Sequence, residues 1–215
     1  MFQYAVHDAL VKPMPAGMLT PSLAESYRVS DDQMYWEFKL RQGLKFHNGE
    51  PFTAEDVKYT FDTYKGAGKA LYDKNVKKVE IVSDYLIRFH LNEPWPDFIT
   101  FYGTGATGAG WIVPKDYVEK VGTDKFKNAP VGLGPYKLVE YKPGVELVLE
   151  AFDGYWRKPP KVKTVIMKEV PEDATRLAML KRGEVDIAYN MSGPLKKAVE
   201  GDPNLRVEYS GGVAV

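Results

Sequence analysis

A chain of 215 residues, 44% hydrophobic and 27% charged, is long enough to bury a core, so its composition excludes a disordered or collagen-like chain. Lysine plus arginine and aspartate plus glutamate number 29 each, and the basic residues are spread along the chain, which argues against a nucleic-acid partner. The sequence has no cysteine, which excludes disulfides, thiolate metal ligands and cysteine nucleophiles.

The N-terminal part of the chain predicts a connector, a strand and a turn. The stretch "SLAESYRVSDD" is interpreted as a short helical turn running into a loop. "QMYWEFKLR" alternates, with Trp36, Phe38 and Leu40 on one side, which is typical of a half-buried strand. Asn48 and Gly49 follow, and an Asn-Gly pair predicts that the chain turns there.

A helix and a hairpin are expected next. In "TAEDVKYTFDTY", Thr53 and Asp56 have the spacing of a capping box, so the pattern predicts a helix beginning at Thr53. "VKKVEIVSDYLIRFHLNEP" predicts two strands around a Ser-Asp turn, with Ile87, Phe89 and Leu91 facing one way.

The second half of the chain mixes strands and helices. Residues 93–114 are rich in glycine and aromatic residues, and we interpret them as a crossover that faces a ligand. "PKDYVEKVG" predicts a short helix closed by Gly122, "GPYKLVEYKPGVELVLEA" a hairpin, and "KVKTVIMKEV" a strand. "PEDATRLAMLKRGEVDIAY" predicts a helix followed by a strand, and "LRVEYSGGVAV" a last strand. The predicted fold class is α/β, of the mixed α+β kind.

No catalytic or metal-binding motif is evident. His7, His47 and His90 lie far apart in sequence and outside any cluster of ligand spacing, so they are assigned no role and no metal or cofactor is expected. The adjacent acid pairs, Asp31-Asp32, Glu55-Asp56 and Glu172-Asp173, are explained by a turn and by helix starts. No stretch approaches about 18 uncharged apolar residues, so no membrane-spanning helix is predicted. The start of the chain as given lacks the pattern of a signal peptide or lipid anchor, so neither is predicted there.

Several segments together resemble one family, the extracytoplasmic solute-binding proteins of dipeptide, oligopeptide and nickel ABC transporters. They are "PSLAESYRVSDDQMYWEFKLRQGLKFHNGEPFTAEDVKYTF", "VEIVSDYLIRFHLNEPWPDF", "IVPKDYVEKVG", "VGLGPYKLVEYKPGVELVLEAFDGYW" and "ATRLAMLKRGEVDIAY". The resemblance implies a periplasmic-binding-protein-like lobe and a family-specific accessory domain, with the second lobe missing. Residues 1–110 would form the accessory domain with its connector, and residues 111–215 part of the first ligand-binding lobe.

The resemblance also implies a function. Such a protein is not an enzyme: it captures a peptide or similar small solute in the periplasm or outside the cytoplasmic membrane, to which it is peripheral, and delivers it to the permease of an ABC importer. Because one lobe is expected to be missing, this chain is expected to be a fragment unable to bind tightly alone. The resemblance does not decide the identity of the ligand, which could be a peptide, a nickel chelate, an oligosaccharide or an opine.

Two other functions remain as alternatives. A glycan-active hydrolase would need two carboxylates facing each other across a cleft, about 5 to 10 Å apart. A scaffold or interaction module would bind no small molecule by itself.

The ligand contacts are predicted at "AYNMSG", the end of the strand "VDIAY". In open α/β lobes ligands lie at the carboxyl ends of strands, and the resemblance points to the same segment. Asn190 offers donors and an acceptor, and Tyr189 and Met191 offer apolar contact. Tyr102 and Trp111 of the crossover are further candidates. The alternative is that Tyr189 belongs to the core and Asn190 is a turn residue.

Overall fold

The computed structural model describes residues 3–13, 19–105, 107–190, 193–200 and 202–208, and over these it has a mixed α/β fold, as predicted. The strands are β1 Val11–Pro13, β2 Leu19–Pro21, β3 Ala24–Val29, β4 Tyr35–Leu40, β5 Val76–Ser83, β6 Leu86–Leu91, β7 Tyr136–Lys142, β8 Glu146–Ala151 and β9 Thr164–Lys168. The helices are α1 Gln3–Val6, α2 Ala54–Asp62, α3 Lys69–Asn75, α4 Phe98–Gly103, α5 Lys115–Val121, α6 Thr123–Asn128, α7 Asp173–Lys181 and α8 Gly193–Glu200.

The chain divides into two compact units. The first unit contains Met1–Tyr141 and Val148–Val165, and the second contains Lys142–Leu147 and Ile166–Val215. The domain boundary expected near residue 110 stays a prediction.

The first unit is built around a four-stranded antiparallel sheet in the order β3-β4-β6-β5. Phe38 of β4 and Ile87 and Phe89 of β6 are fully buried on one face, as the alternation predicted. The ring of Phe89 lies edge-on to those of Phe38 and Phe61, at centroid distances of 5.6 and 5.2 Å. The core therefore lies against the face of this sheet that the sequence pattern marked as apolar.

On the opposite face, Glu37 joins three neighbouring strands. The register places Glu37 of β4 beside Arg28 of β3 and Arg88 of β6. Glu37 Oε1 accepts from Arg28 Nε at 2.8 Å, and Glu37 Oε2 accepts from Arg88 Nε at 2.7 Å. Burial by itself raises the pKa of Glu37, but the hydrogen bonds from the two arginines outweigh it and hold that pKa below its usual range.

The helix predicted at Thr53 is confirmed, with its capping box. Thr53 Oγ1 accepts from the N–H of Glu55 at 3.3 Å, and Asp56 Oδ2 accepts from the N–H of Thr53 at 2.9 Å. Asp56 Oδ1 also accepts from the N–H of Lys115, the first residue of α5, at 2.9 Å. Burial raises the pKa of the Asp56 carboxyl to about 6.

The helical turn expected in "SLAESYRVSDD" is wrong, because Ala24–Val29 is strand β3. It pairs antiparallel with β4 in a register that sets Tyr27 against Phe38, with a bulge between Ala24 and Ser26. The pairing with β4 gives hydrogen-bond partners to a row of backbone N–H and C=O groups that a single helical turn would leave without them. The long-range partner therefore overrides the local pattern.

Most of the other local predictions after α2 are confirmed, and that of the last strand is wrong. The hairpins β5–β6 and β7–β8, strand β9 and helices α5 and α7 form as expected, and Gly122 closes α5 at a φ of 83°. The last predicted strand, residues 205–215, does not form over residues 205–208, and residues 209–215 lie outside the described part of the chain. Across the described part of the chain, no helix has the length and apolar character that a membrane crossing needs.

Candidate functional site

The predicted ligand segment follows α7 as a loop. Gly183 ends the helix with a φ of 70°, and residues 184–190 form no strand, so the strand expected for "VDIAY" is wrong. A strand exists only where a second strand accepts and donates its backbone hydrogen bonds, and no described strand pairs with this segment. The polar end of the motif is therefore carried on a loop of the second unit.

Tyr189 and Asn190 lie on the surface of this unit. Tyr189 is 62% exposed, which contradicts the alternative that it belongs to the core. Asn190 has a φ of 58°, the left-handed conformation that asparagine tolerates better than most residues. Asn190 is exposed, and its side-chain amide, with two donors and an acceptor, makes no hydrogen bond to any residue that the structure describes. Met191 lies outside the described residues.

The backbone of this loop is held by Arg176 of α7, a residue that the sequence did not single out. Arg176 Nη2 donates to the carbonyl oxygen of Asn190 at 2.8 Å, and Nη1 donates to those of Val170 and Pro171 at 2.7 and 2.6 Å. One guanidinium thus joins the segment before α7 to the loop after it. No local pattern marks such a residue, because its partners are fixed only when the chain folds.

Tyr102 and Trp111, the weaker candidates, lie in the first unit and are 1% and 8% exposed. They meet at a cavity of about 10 Å³, which is lined also by Lys12 and Gly110 and has room for about one water molecule. The Tyr102 ring stacks on that of Phe98 at 5.3 Å between centroids. The crossover is thus packed into the core here, and a ligand-binding role for these two residues stays a prediction.

A second group of polar residues in the first unit joins distant segments. His47 Nε2 donates to the carbonyl of Gly134 at 2.9 Å, and His47 Nδ1 accepts from the N–H of Gly132 at 3.3 Å. A Cβ on Gly132 would lie 2.1 Å from the carbonyl oxygen of Val6, so only glycine permits this approach. Burial lowers the pKa of His47, which agrees with a neutral ring that donates at one nitrogen and accepts at the other.

Asp8 forms the buried centre of another contact in the first unit. Its Oδ2 accepts from Trp156 Nε1 at 2.8 Å and from the Tyr155 hydroxyl at 3.1 Å, and its Oδ1 pairs with Lys12. Burial raises the pKa of the Tyr155 hydroxyl above its usual value. These bonds tie the N-terminal segment to the residues that follow β8, which gives Asp8 a structural role.

The titratable side chains of the described residues do not cluster as metal ligands. Among the described residues, no three histidine, aspartate or glutamate side chains come together as metal ligands. Asp56 is engaged by two backbone N–H groups, and its neighbour Glu55 pairs with Lys115 at 3.0 Å. This acid pair therefore serves the start of a helix, as the sequence indicated.

Solved structures place the fold among the periplasmic binding proteins. The periplasmic binding protein DppA from Helicobacter pylori, in complex with the peptide STSA, is 25% identical with a TM-score of 0.82, over 93% of this chain and 43% of that chain. The oligopeptide-binding protein AppA from Bacillus subtilis, in complex with a nonapeptide, is 30% identical with a TM-score of 0.79, over 94% of this chain and 41% of that one.

The family follows from the sequence match. The pattern of the family described as "Bacterial extracellular solute-binding proteins, family 5 Middle" matches residues 18–215. The chain belongs to family 5 of the bacterial extracellular solute-binding proteins. Among its relatives, the glutathione-binding protein GsiB of Salmonella paratyphi A is 34% identical over 172 residues, which are 78% of this chain and 33% of that protein. The chain spans about a third of the length of the curated relatives it matches.

Proposed function

We propose that this chain is part of the substrate-binding component of an ABC import system, which captures a small solute outside the cytoplasmic membrane and delivers it to the permease. The observation that carries this proposal is the family 5 match over residues 18–215. The relatives are named for the solutes they bind and not for a reaction, which supports a non-enzymatic role and a periplasmic location.

The proposed ligand is a short peptide or a similar amino-acid derivative. GsiB is named for glutathione, and AppA was solved with a nonapeptide, so both relatives bind ligands with amide and carboxylate groups. The side-chain amide of Asn190, which makes no hydrogen bond to a described residue, matches that chemistry, because an amide can donate to a peptide carbonyl and accept from a peptide N–H. The exposed ring of Tyr189 adds apolar contact beside it.

The proposed mechanism is closure of a second lobe over the ligand. The loop that carries Tyr189 and Asn190 would contact the solute first, and a facing lobe would then exclude water from the polar contacts. Without that lobe the contacts stay exposed to water, so this chain alone would bind at least about a hundredfold more weakly than a protein with both lobes.

The test is an NMR titration of the ¹⁵N-labelled chain with reduced glutathione and with trialanine up to millimolar concentration. We expect shift changes that cluster at residues 187–190 for at least one of the two peptides. Asn190→Ala should lower the affinity by about 1 to 3 kcal/mol, since its partner groups lose a hydrogen bond.

The matched control is Asn204→Ala, which removes the same amide from an exposed position of the same unit. It should leave the titration unchanged. Shift changes that cluster elsewhere, or equal effects of the two alanine variants, would place the site outside this loop. The absence of shifts with both peptides at millimolar concentration would contradict the proposal that this loop contacts a peptide.

A further inference from the structure

Arg176 joins three carbonyl groups that belong to two separate segments. Val170 and Pro171 precede α7, Asn190 ends the loop after it, and the three N–H···O distances lie between 2.6 and 2.8 Å. Each bond has a charged donor, and such bonds are stronger than those between neutral groups. The planar guanidinium presents its donors in a fixed fork, so it sets a distance and a direction between the segments that a lysine ammonium would not.

The bond to Asn190 acts on the backbone and leaves the side chain available. Arg176 donates to the Asn190 carbonyl oxygen, while the Asn190 side-chain amide makes no hydrogen bond to a described residue. Asn190 also has a positive φ of 58°, a conformation that a non-glycine residue keeps only when its surroundings favour it. A fixed backbone whose side-chain amide has no hydrogen bond to a described residue favours binding, because less conformational entropy is lost when the ligand binds.

We propose that Arg176 is the positioning residue of the candidate ligand loop, holding the backbone of Asn190 so that its side-chain amide points to the solute. This inference rests on the proposed function, since it assumes that the loop contacts ligand. Arg176 itself does not touch the solute. Its guanidinium acts through the carbonyl of Asn190, and it couples the loop to the segment that leaves β9.

The test compares Arg176→Lys with Arg182→Lys. Arg182 lies at the end of the same helix and is exposed, and among the described residues its ion pair is with the nearby Glu184, so its replacement makes the same chemical change without loosening the loop. Backbone ¹⁵N order parameters should fall from about 0.85 to below about 0.6 at residues 187–190 in Arg176→Lys. They should stay unchanged in Arg182→Lys and, in both variants, along β4 and β6.

The unmodified chain supplies a second measurement, which does not depend on the variant folding. A guanidinium held by three carbonyls rotates slowly, so the Nη protons of Arg176 should give separate resonances while those of Arg182 average. Averaged Arg176 resonances, or a loop in Arg176→Lys that is as rigid as in the unmodified chain, would overturn the positioning role. So would an equal loss of order along β4 and β6, because that reports general destabilisation.

The ligand measurement separates this inference from the function it rests on. Reduced glutathione or trialanine, whichever shifts residues 187–190, should bind Arg176→Lys about tenfold or more weakly, as expected when hydrogen bonds to a charged group are lost. Arg182→Lys should bind as the unmodified chain does. If the loop loosens but neither peptide binds the unmodified chain, the proposed function fails and Arg176 fixes a loop without a ligand. Unchanged affinity in a loosened loop would refute the positioning role alone.

Discussion

Replacing Glu37 by glutamine tests whether the ion triad on the β3-β4-β6 face stabilises the first unit. The substitution keeps the shape of the side chain but removes the charge that accepts from Arg28 at 2.8 Å and from Arg88 at 2.7 Å. Glutamine has one oxygen, so one of the two arginines would face an NH₂ group that cannot accept.

The expected loss of stability follows from the exposure of the three side chains. Hydrogen bonds to charged groups contribute about 1.5 to 3 kcal/mol each, and exposure to water lowers this contribution. The side chains of Arg28 and Arg88 are 68% and 30% exposed, whereas that of Glu37 is 10% exposed, so water replaces most of the Arg28 bond and part of the Arg88 bond. Glu37→Gln should therefore lower the free energy of unfolding by about 1 to 3 kcal/mol.

Chemical denaturation followed by circular dichroism at pH 7 measures this difference, and Glu25→Gln is the control. Glu25 pairs with Lys39 at 3.0 Å, but both side chains are more than half exposed, so its loss should change stability by less than about 0.5 kcal/mol. The pKa of Glu37 is lowered in the folded chain, so its contribution is present above the unfolded pKa and lost as pH falls through the folded one. Equal midpoints for the two variants at pH 7 would refute this reasoning.

Two further predictions concern stability. Thr53→Ala should lower the free energy of unfolding by about 1 kcal/mol in urea denaturation, because the N–H of Glu55 loses its acceptor, whereas Thr53→Ser should keep it; equal losses would mean that the cap contributes nothing. Burial lowers the pKa of His7 to about 4, so the folded chain favours neutral His7. Its free energy of unfolding should therefore fall by up to about 3 kcal/mol as pH falls from about 6.5 to about 4. The pKa of Asp56 is raised, so protonation of this carboxyl stabilises the folded chain as pH falls, and Asp56→Asn should make the loss of stability with falling pH steeper. An NMR titration midpoint for His7 near 6.5 would contradict the argument.

The site could be predicted only in part. From the sequence, the ligand contacts are predicted at the segment of Tyr189 and Asn190, because a polar end follows an apolar run there. The structure shows this segment as an exposed loop, and its contact with a ligand stays a prediction. The sequence did not show that Arg176 holds this segment, because Arg176 contacts residues five and six positions before it and fourteen after it. A single arginine within a helix has the same local pattern whether it faces water or bridges two segments.

What the sequence by itself determined are the features whose partners lie within a few residues. The capping box of Thr53 and Asp56 and the alternation of β4 depend on backbone geometry and on a period of two, so both formed as predicted.

Only the tertiary structure decided the features whose partners are distant. Ala24–Val29 became a strand because β4 offered it hydrogen bonds, while residues 184–190 remained a loop because no described strand pairs with them. Asp8 accepts a hydrogen bond from the indole of Trp156, which lies 148 residues away in sequence. Glu37 accepts one from Arg88, at a sequence separation of 51 residues. Such contacts form only when folding brings the segments together, and a local sequence pattern does not encode which distant group will be near.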